Sequence, residues 1–539
     1  MKIINIKKRK FIISIIVLVL IITLLPYIGV YNSNKDYYTG GTLVGAADKM
    51  VYLSQIEEAR QGYFFIHNLY TSEPQAGYFS PLWASLGWFS GITKLPPLFT
   101  YHLFRVIFGF IFLYLLYLFV SKIFLKETWR KIAFVTLAIS SGFGFFTFFI
   151  NYILKNPNGY FGADIWYSEG NTFLTLFHSP LFILSQICLL LIFWWTIARF
   201  KIAKYPEVIG MGIIGCLLGF FHPYDVFIAF FILSVWFIVN IIKNKLWPWP
   251  DFFKLVIFFL ISFASIFYFF IFRIFSPGFA GWAEQLVQLS PPPHNYMAGF
   301  GLIFIFFLFG ISPAWKSKNK YLNFLAVWSL TSWLLLYMPL SFQRRLGNGM
   351  HIPMALLAVL GAAVLLDKIK KTKLYYKINN KFTIKIVILI IFIFLMTSTN
   401  LFFLGLNYHF FSIGEFHLTK GEKEAIWWLK ENSDKSDIIL SQSQMGSIIP
   451  SIAGRFVYLG YKIQTNNWLI KKYDVEEWFF KDNRGDKLKA RWLSREGIDY
   501  LYYGSREMAL GEFNPQNKEY LKQVFQNSEV AIYQVKPVP

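Results

Sequence analysis

Residues 7–30 read KKRKFIISIIVLVLIITLLPYIGV, four basic residues followed by twenty positions without a charged side chain. About 20 apolar residues in a row are long enough to cross the hydrocarbon core of a bilayer as a helix. Basic residues at one end hold that end in the cytoplasm. The stretch closes on Pro26-Tyr27-Ile28-Gly29-Val30 rather than on the small residues of a cleavage site, so it reads as a retained anchor. Ten further segments have the same character: 97–120, 131–152, 173–198, 206–222, 224–242, 252–275, 298–313, 321–341, 351–367 and 383–408. The sequence therefore predicts an all-α polytopic membrane domain of about eleven transmembrane helices over residues 1–408. A small extracytoplasmic α/β domain over 409–539 is predicted to follow it.

Composition agrees with that reading. Of the 539 residues, 55% are hydrophobic and only 15% are charged, against about 25% charged in soluble domains. Cys188 and Cys216 both lie in apolar runs, which excludes a disulfide framework and a Cys-rich zinc site. The formal charge of +22 is unevenly placed. From His409 onward there are 18 Lys and Arg against 17 Asp and Glu, whereas the first 408 residues carry 34 against 13. An excess confined to the hydrophobic part marks membrane topology, not a nucleic-acid partner. Alternate connections are basic: Lys122, Lys126, Arg130 and Lys131; Arg199, Lys201 and Lys204; Lys243 and Lys245; Lys316, Lys318 and Lys320; and Lys368 through Lys381. With those loops inside, the N-terminus is cytoplasmic and the C-terminal domain is outside a multi-pass cell-membrane protein.

That sidedness places all eight histidines and nine acidic residues of the membrane part on the outer side. The first outward loop, 31–96, is too long to be a bare connection. It carries Asp48-Lys49-Met50-Val51-Tyr52 running into Glu57-Glu58-Ala59-Arg60-Gln61-Gly62, which predicts an interfacial amphipathic helix with Asp48 at its start and Gly62 ending it. An Asp there either caps the helix or serves chemistry. The second outward loop holds Asp164 and Glu169 beside Trp166 and Tyr167, a carboxylate pair suited to a divalent cation (Mg or Mn) or a sugar. His178-Ser179-Pro180 and His222-Pro223-Tyr224-Asp225 sit at outward helix ends. Arg344 and Arg345 run against the positive-inside trend, and their planar forks suit phosphate oxygens. His351 follows them, while Arg105 and Arg273 read as ordinary interface residues. In the C-terminal part, residues 422–431 read as a helix. Residues 437–441, 455–458, 498–503 and 530–535 read as strands, with no phosphate loop and no hydrolase motif among them.

The segments DKMVYLSQIEEARQG, FFHPYD, FQRRLGNGMHIP and AGRFVYLGYKIQT resemble those of the GT-C superfamily of polytopic membrane glycosyltransferases, which includes protein mannosyltransferases and aminoarabinose transferases. The order of inward N-terminus, long acidic first loop and outward C-terminal domain is similar too. The resemblance implies a glycosyltransferase that moves a sugar from a polyprenyl-phosphate donor to a lipid, protein or polysaccharide acceptor on the outer face. It implies Asp48 as general base and Asp164 as a second catalytic acid or, with Glu169, a metal ligand. Arg344 and Arg345 would clamp phosphate, with Tyr52, Glu169, His178, His222, Asp225 and His351 as substrate contacts. Many members carry a second acidic residue after the first; here that position is Lys49. Two rival readings are a transporter or flippase, and an inactive envelope protein that binds lipid-linked glycans. The apolar spans hold almost no charge away from their ends and show no repeat, which weighs against transport.

Overall fold

Among the described residues of the computed structural model, seven helices are long and apolar enough to cross a membrane, and nine are if each of two bent pairs is one span. The described residues are 6–33, 37–41, 45–156, 159–372, 382–411 and 417–537. Asp36, Lys373, Lys377 and Lys381 lie outside them. Two further predicted spans correspond to the shorter helices Tyr205–Phe221 and Lys320–Leu335. The structure thus has the predicted helical membrane part followed by a small sheet region. Apolar side chains such as Ile242, Leu260, Phe275 and Leu334 stand exposed on these helices, as lipid-facing surfaces require.

Predicted spans 131–152 and 298–313 are each broken. Helix Glu127–Ile139 meets Gly144–Ile153 at 41°, and Pro293–Phe300 meets Leu302–Lys316 at 94°. The second break turns on Gly301, whose φ of +54° is costly for any residue with a Cβ. The breaks pack together: a Cβ on Gly142 would lie 2.2 Å from the Gly299 carbonyl, and Phe143 N–H donates to the Ala298 carbonyl at 2.7 Å. Continuous side chains would have kept these backbones apart, so glycine spacing, not hydropathy, determines the kinks.

By contacts the chain divides into two units. The first comprises Met1–Pro26, Phe104–Phe267 and Gln288–Leu406. Its core is apolar and aromatic, with Phe119, Phe134, Phe193 and Trp328 fully enclosed. The second comprises Tyr27–Leu103, Tyr268–Val287 and Asn407–Pro539, so the first loop and the C-terminal segment belong to one unit.

Within the second unit, β1 (Tyr37–Tyr38) pairs antiparallel with β2 (His417–Leu418). A five-stranded sheet follows, from β3 (Ile438–Leu440), β4 (Phe456–Val457), β5 (Tyr500–Tyr503), β6 (Leu521–Gln526) and β7 (Ala531–Val535), in the order β4-β3-β5-β7-β6. β4, β3 and β5 run parallel, and β7 and β6 close the sheet antiparallel. The helix predicted around Asp48 is Ala46–Arg60. It is not an interfacial amphipath. Lys49, Ser54, Gln55, Glu57 and Glu58 are buried along with Met50, Leu53 and Ile56, because neighbours cover it on several sides. Gly87 of helix Pro81–Thr93 approaches so closely that a Cβ there would be 2.3 Å from Ala59 Cβ. On the C-terminal side Lys430 Nζ reaches Glu57 at 2.5 Å, and Arg455 donates to Gln61 Oε1 at 3.1 Å. Buried charges demand such partners.

Candidate functional site

In the second unit Asp48 is the third residue of its helix. The N-cap is Gly45, in the left-handed region at φ 68°, so Asp48 is not the cap residue. Its carboxylate is half-buried and accepts a hydrogen bond from Tyr461 Oη at 3.1 Å. Lys49 points the other way. It is fully buried, with Nζ 3.0 Å from Tyr27 Oη and 4.5 Å above the Tyr27 ring. Tyr52, one turn beyond Asp48, stacks on Trp83 with ring centroids 4.6 Å apart.

The first unit gathers most of the remaining sequence-predicted residues into one polar cluster. Arg345 pairs with the Glu169 carboxylate, which is 4% exposed. Burial alone would raise that carboxyl; Arg345 and Arg344 outweigh it and bring it down to about 2. Arg344 donates to Gln288 Oε1, and its guanidinium lies 5.4 Å above the Trp166 ring. The Arg344 Nε is buried and makes no hydrogen bond.

Gln186 joins this pair to the next group, donating to the Glu169 carbonyl at 3.1 Å and to Asn348 Oδ1 at 2.8 Å. Asn348 in turn donates to Asp225 Oδ2 at 2.7 Å and to Ser185 Oγ at 3.0 Å. Asp225 is fully buried, its Oδ1 2.9 Å from His222 Nδ1 but out of line for a hydrogen bond. Both flank the Pro223 break between helices Tyr205–Phe221 and Tyr224–Asn244. His178 stacks on Phe182, whose ring meets His222 edge-on at 5.6 Å. Sequence reading missed Gln186 and Asn348. The signal for Gln186 was a long amide inside an apolar span, a residue type that rarely sits there without a partner.

Three expected roles find no support in this geometry. Asp164 is 2% exposed, and its Oδ2 accepts N–H bonds from Gly142 at 2.7 Å and Gly144 at 3.4 Å. It caps the kink between the two half-helices, in a cage where a Cβ on Gly144 or Gly162 would strike Oδ1 at 2.5 or 2.7 Å. Burial without a cationic partner pushes its carboxyl up to about 7. His351 has both ring nitrogens engaged, Nε2 at 3.1 Å from Ser140 Oγ and Nδ1 at 2.8 Å from Thr172 Oγ1, which leaves none for a substrate. The expected metal pair is also absent as a site: Glu169 is held by arginine, Asp164 by glycine N–H groups. No three His, Cys, Asp or Glu among the described residues converge as metal ligands. Arg105 corrects the interface expectation. It is 1% exposed and donates to the Leu176 carbonyl at 2.6 Å, inside the first unit.

Among solved structures, the chain is similar to ArnT from Cupriavidus metallidurans bound to undecaprenyl phosphate. The match has a TM-score of 0.55 at 8% identity, over 97% of this chain and 98% of that one. The chain has the GT-C fold. The same fold appears in the archaeal oligosaccharyltransferase AglB from Archaeoglobus fulgidus, in complex with an inhibitory peptide and a dolichol-phosphate (TM-score 0.52, 14% identity, 93% of this chain and 70% of that). Another structure of the Archaeoglobus enzyme, in complex with Zn and sulfate, matches at TM-score 0.50 with 13% identity over 97% and 73% of the two chains. No family model and no curated protein sequence matches.

Proposed function

We propose that this chain is a polyprenyl-phosphate-dependent glycosyltransferase of the cell membrane, transferring a sugar at the outer face with inversion at the anomeric carbon. The observation that carries the reading is the match over nearly the whole of both chains to an undecaprenyl-phosphate-bound aminoarabinose transferase. It is joined by a half-buried carboxylate, Asp48, in the long first loop.

Asp48 takes the proton of the acceptor hydroxyl as its oxygen attacks the anomeric carbon. The bond from that carbon to the donor phosphate oxygen breaks, and its electron pair leaves with the polyprenyl phosphate. Phosphate is a good leaving group, so the protein's work is orientation and charge stabilisation. Arg344 is the guanidinium for that task, because Arg345 is spent on Glu169. His222, held beside Asp225, and His178 are the polar contacts for donor or acceptor. Tyr52 offers an aromatic face one turn from the base.

The test is reconstitution in nanodiscs with a panel of polyprenyl-phosphate sugars and a membrane extract of the host. Mass spectrometry then follows donor loss and new glycoconjugates. Donor consumption in the wild type that disappears in Asp48→Asn is the expected result. Binding without turnover would instead favour a glycan-binding role. Neither binding nor turnover would return transport to consideration.

A further inference from the structure

The sheet domain contains no catalytic motif of its own, yet one of its side chains ends on Asp48. Tyr461 follows β4, on a turn closed by Gln464 N–H and Thr465 N–H donating to the Tyr461 carbonyl, both at 2.9 Å. That turn is braced from several sides. Thr465 Oγ1 accepts from Gly460 N–H at 3.1 Å and donates to the Tyr70 carbonyl at 2.7 Å. Trp468 Nε1 donates to the Gly460 carbonyl at 3.0 Å. At the base of the turn, a Cβ on Gly446 would fall 1.9 Å from the Leu459 carbonyl oxygen, so this backbone approach exists only because residue 446 is glycine. A phenol on so fixed a mount is aimed, not merely packed.

We propose that Tyr461 is a positioning residue for Asp48, through which the C-terminal domain completes the acid–base machinery of the transferase. The inference rests on the reading of Asp48 as base. The Tyr461 O–H donates to Oδ1, fixing the rotation of the carboxyl group that receives the acceptor's proton. It also favours the ionised carboxylate, the form that a base must have. The titratable groups on the described elements there are Lys49, Tyr52, Glu57, Glu58 and Arg60 of the same helix and Lys462 on the turn of Tyr461, with Tyr27 and Tyr101 facing Lys49 and His102 stacked on Tyr27. Helices Ser443–Ala453 and Pro81–Thr93, also packed on the Asp48 helix, carry no charged side chain. Tyr461 is a hydrogen-bond donor that the C-terminal domain supplies to this carboxylate.

The experiment compares full-length wild type, Tyr461→Phe and the control Tyr473→Phe, whose ring is exposed, in nanodiscs. Two readouts are taken. Donor consumption is measured against pH and donor concentration. Carbodiimide-promoted glycine ethyl ester labelling of Asp48 is followed by mass spectrometry against pH, and this needs no turnover. The proposal expects Tyr461→Phe to lower kcat about tenfold with donor KM unchanged, part of what a positioned base contributes. It also expects the labelling midpoint and the acid limb of kcat to move up together by about 0.5 to 1 pH unit, the size of one net hydrogen bond. The control should match wild type. Activity within twofold and an unmoved labelling midpoint would overturn the proposal. So would lost activity with a lower melting temperature and no midpoint shift, which marks Tyr461 as scaffold only. If the wild type consumes no donor while the midpoint still shifts, the transferase reading falls and the Tyr461–Asp48 coupling stands.

Discussion

Asp48 in the second unit and the loop 163–171 in the first hold three carboxylates that look alike in sequence, and the structure treats each differently. Asp48 is half-buried and meets a neutral phenol at 3.1 Å. Glu169 is buried and neutralised by Arg345. Asp164 is buried and accepts N–H bonds from Gly142 and Gly144, with no cationic partner among the described residues. A carboxylate can pass protons to a substrate only if it is reachable and not already committed. The proposed base is in the first loop, the least buried of the three. The second loop carries the framework: one carboxylate pins a helix kink and the other holds an arginine in place.

The largest expected effect contrasts the two aspartates. Asp48→Asn keeps the shape of the side chain and a hydrogen bond to Tyr461 but removes the base, so donor turnover should fall by roughly 10²–10⁴-fold, the usual contribution of a positioned base. Asp164→Asn keeps Oδ acceptance from Gly142 and Gly144, so turnover should stay within about threefold of wild type. Initial rates of donor loss for the two variants side by side decide the matter. Equal losses in both would erase the distinction drawn here.

The next contrast breaks the pair in the second loop. Arg345→Leu leaves Glu169 buried without its counter-charge, a change that typically costs about 3–5 kcal/mol. The double variant Glu169→Gln, Arg345→Leu should recover a large part of that loss, because no uncompensated charge remains. Thermal denaturation in nanodiscs measures both. The pair also has an acid signature. Since the Glu169 carboxyl is held at about 2, below its ordinary 4.5, its stabilisation is complete above about pH 4.5 and fades as the pH falls towards 2. The double variant should lack that acid-side loss.

The apolar spans were legible because hydropathy acts over whole segments, and the long helices fall where the apolar runs lie. The kinks were not legible, since they depend on Gly142, Gly299 and Gly301 meeting across distant segments. In the sheet domain, strand β6, Leu521–Gln526, was missed because LKQVFQ carries polar residues on an exposed edge and its register with β7 slips at Gln523 and Phe525. Of the site, Asp48, Glu169, His222, Asp225 and Arg345 could be picked as candidates from their places between the apolar runs. What each one faces could not: that Arg345 belongs to Glu169, that Asn348 ties Gln186 to Asp225, and that Tyr461 reaches Asp48 from 413 residues away. Such pairings are set by tertiary packing.

The smallest expected effect sharpens the contrast between Asp164 and Glu169, because burial raises both carboxyls but only Glu169 has arginines that outweigh it. Asp164 is pushed up to about 7 from an ordinary 3.8. Between those values the folded protein keeps the proton that the unfolded chain has released, so Asp164 costs stability as pH rises through this window. The slope for one group cannot exceed about 1.4 kcal/mol per pH unit, and over pH 5 to 6.5 it amounts to about 1–2 kcal/mol. Asp164→Asn should remove that component while leaving the acid-side loss due to Glu169 untouched. Melting temperatures of wild type and Asp164→Asn, taken from pH 4.5 to 8, should therefore diverge in favour of the variant as the pH rises towards 7 and hold a constant gap above it. Parallel curves would mean that the Gly142 and Gly144 N–H groups hold Asp164 ionised, and that charge, not burial, governs the kink.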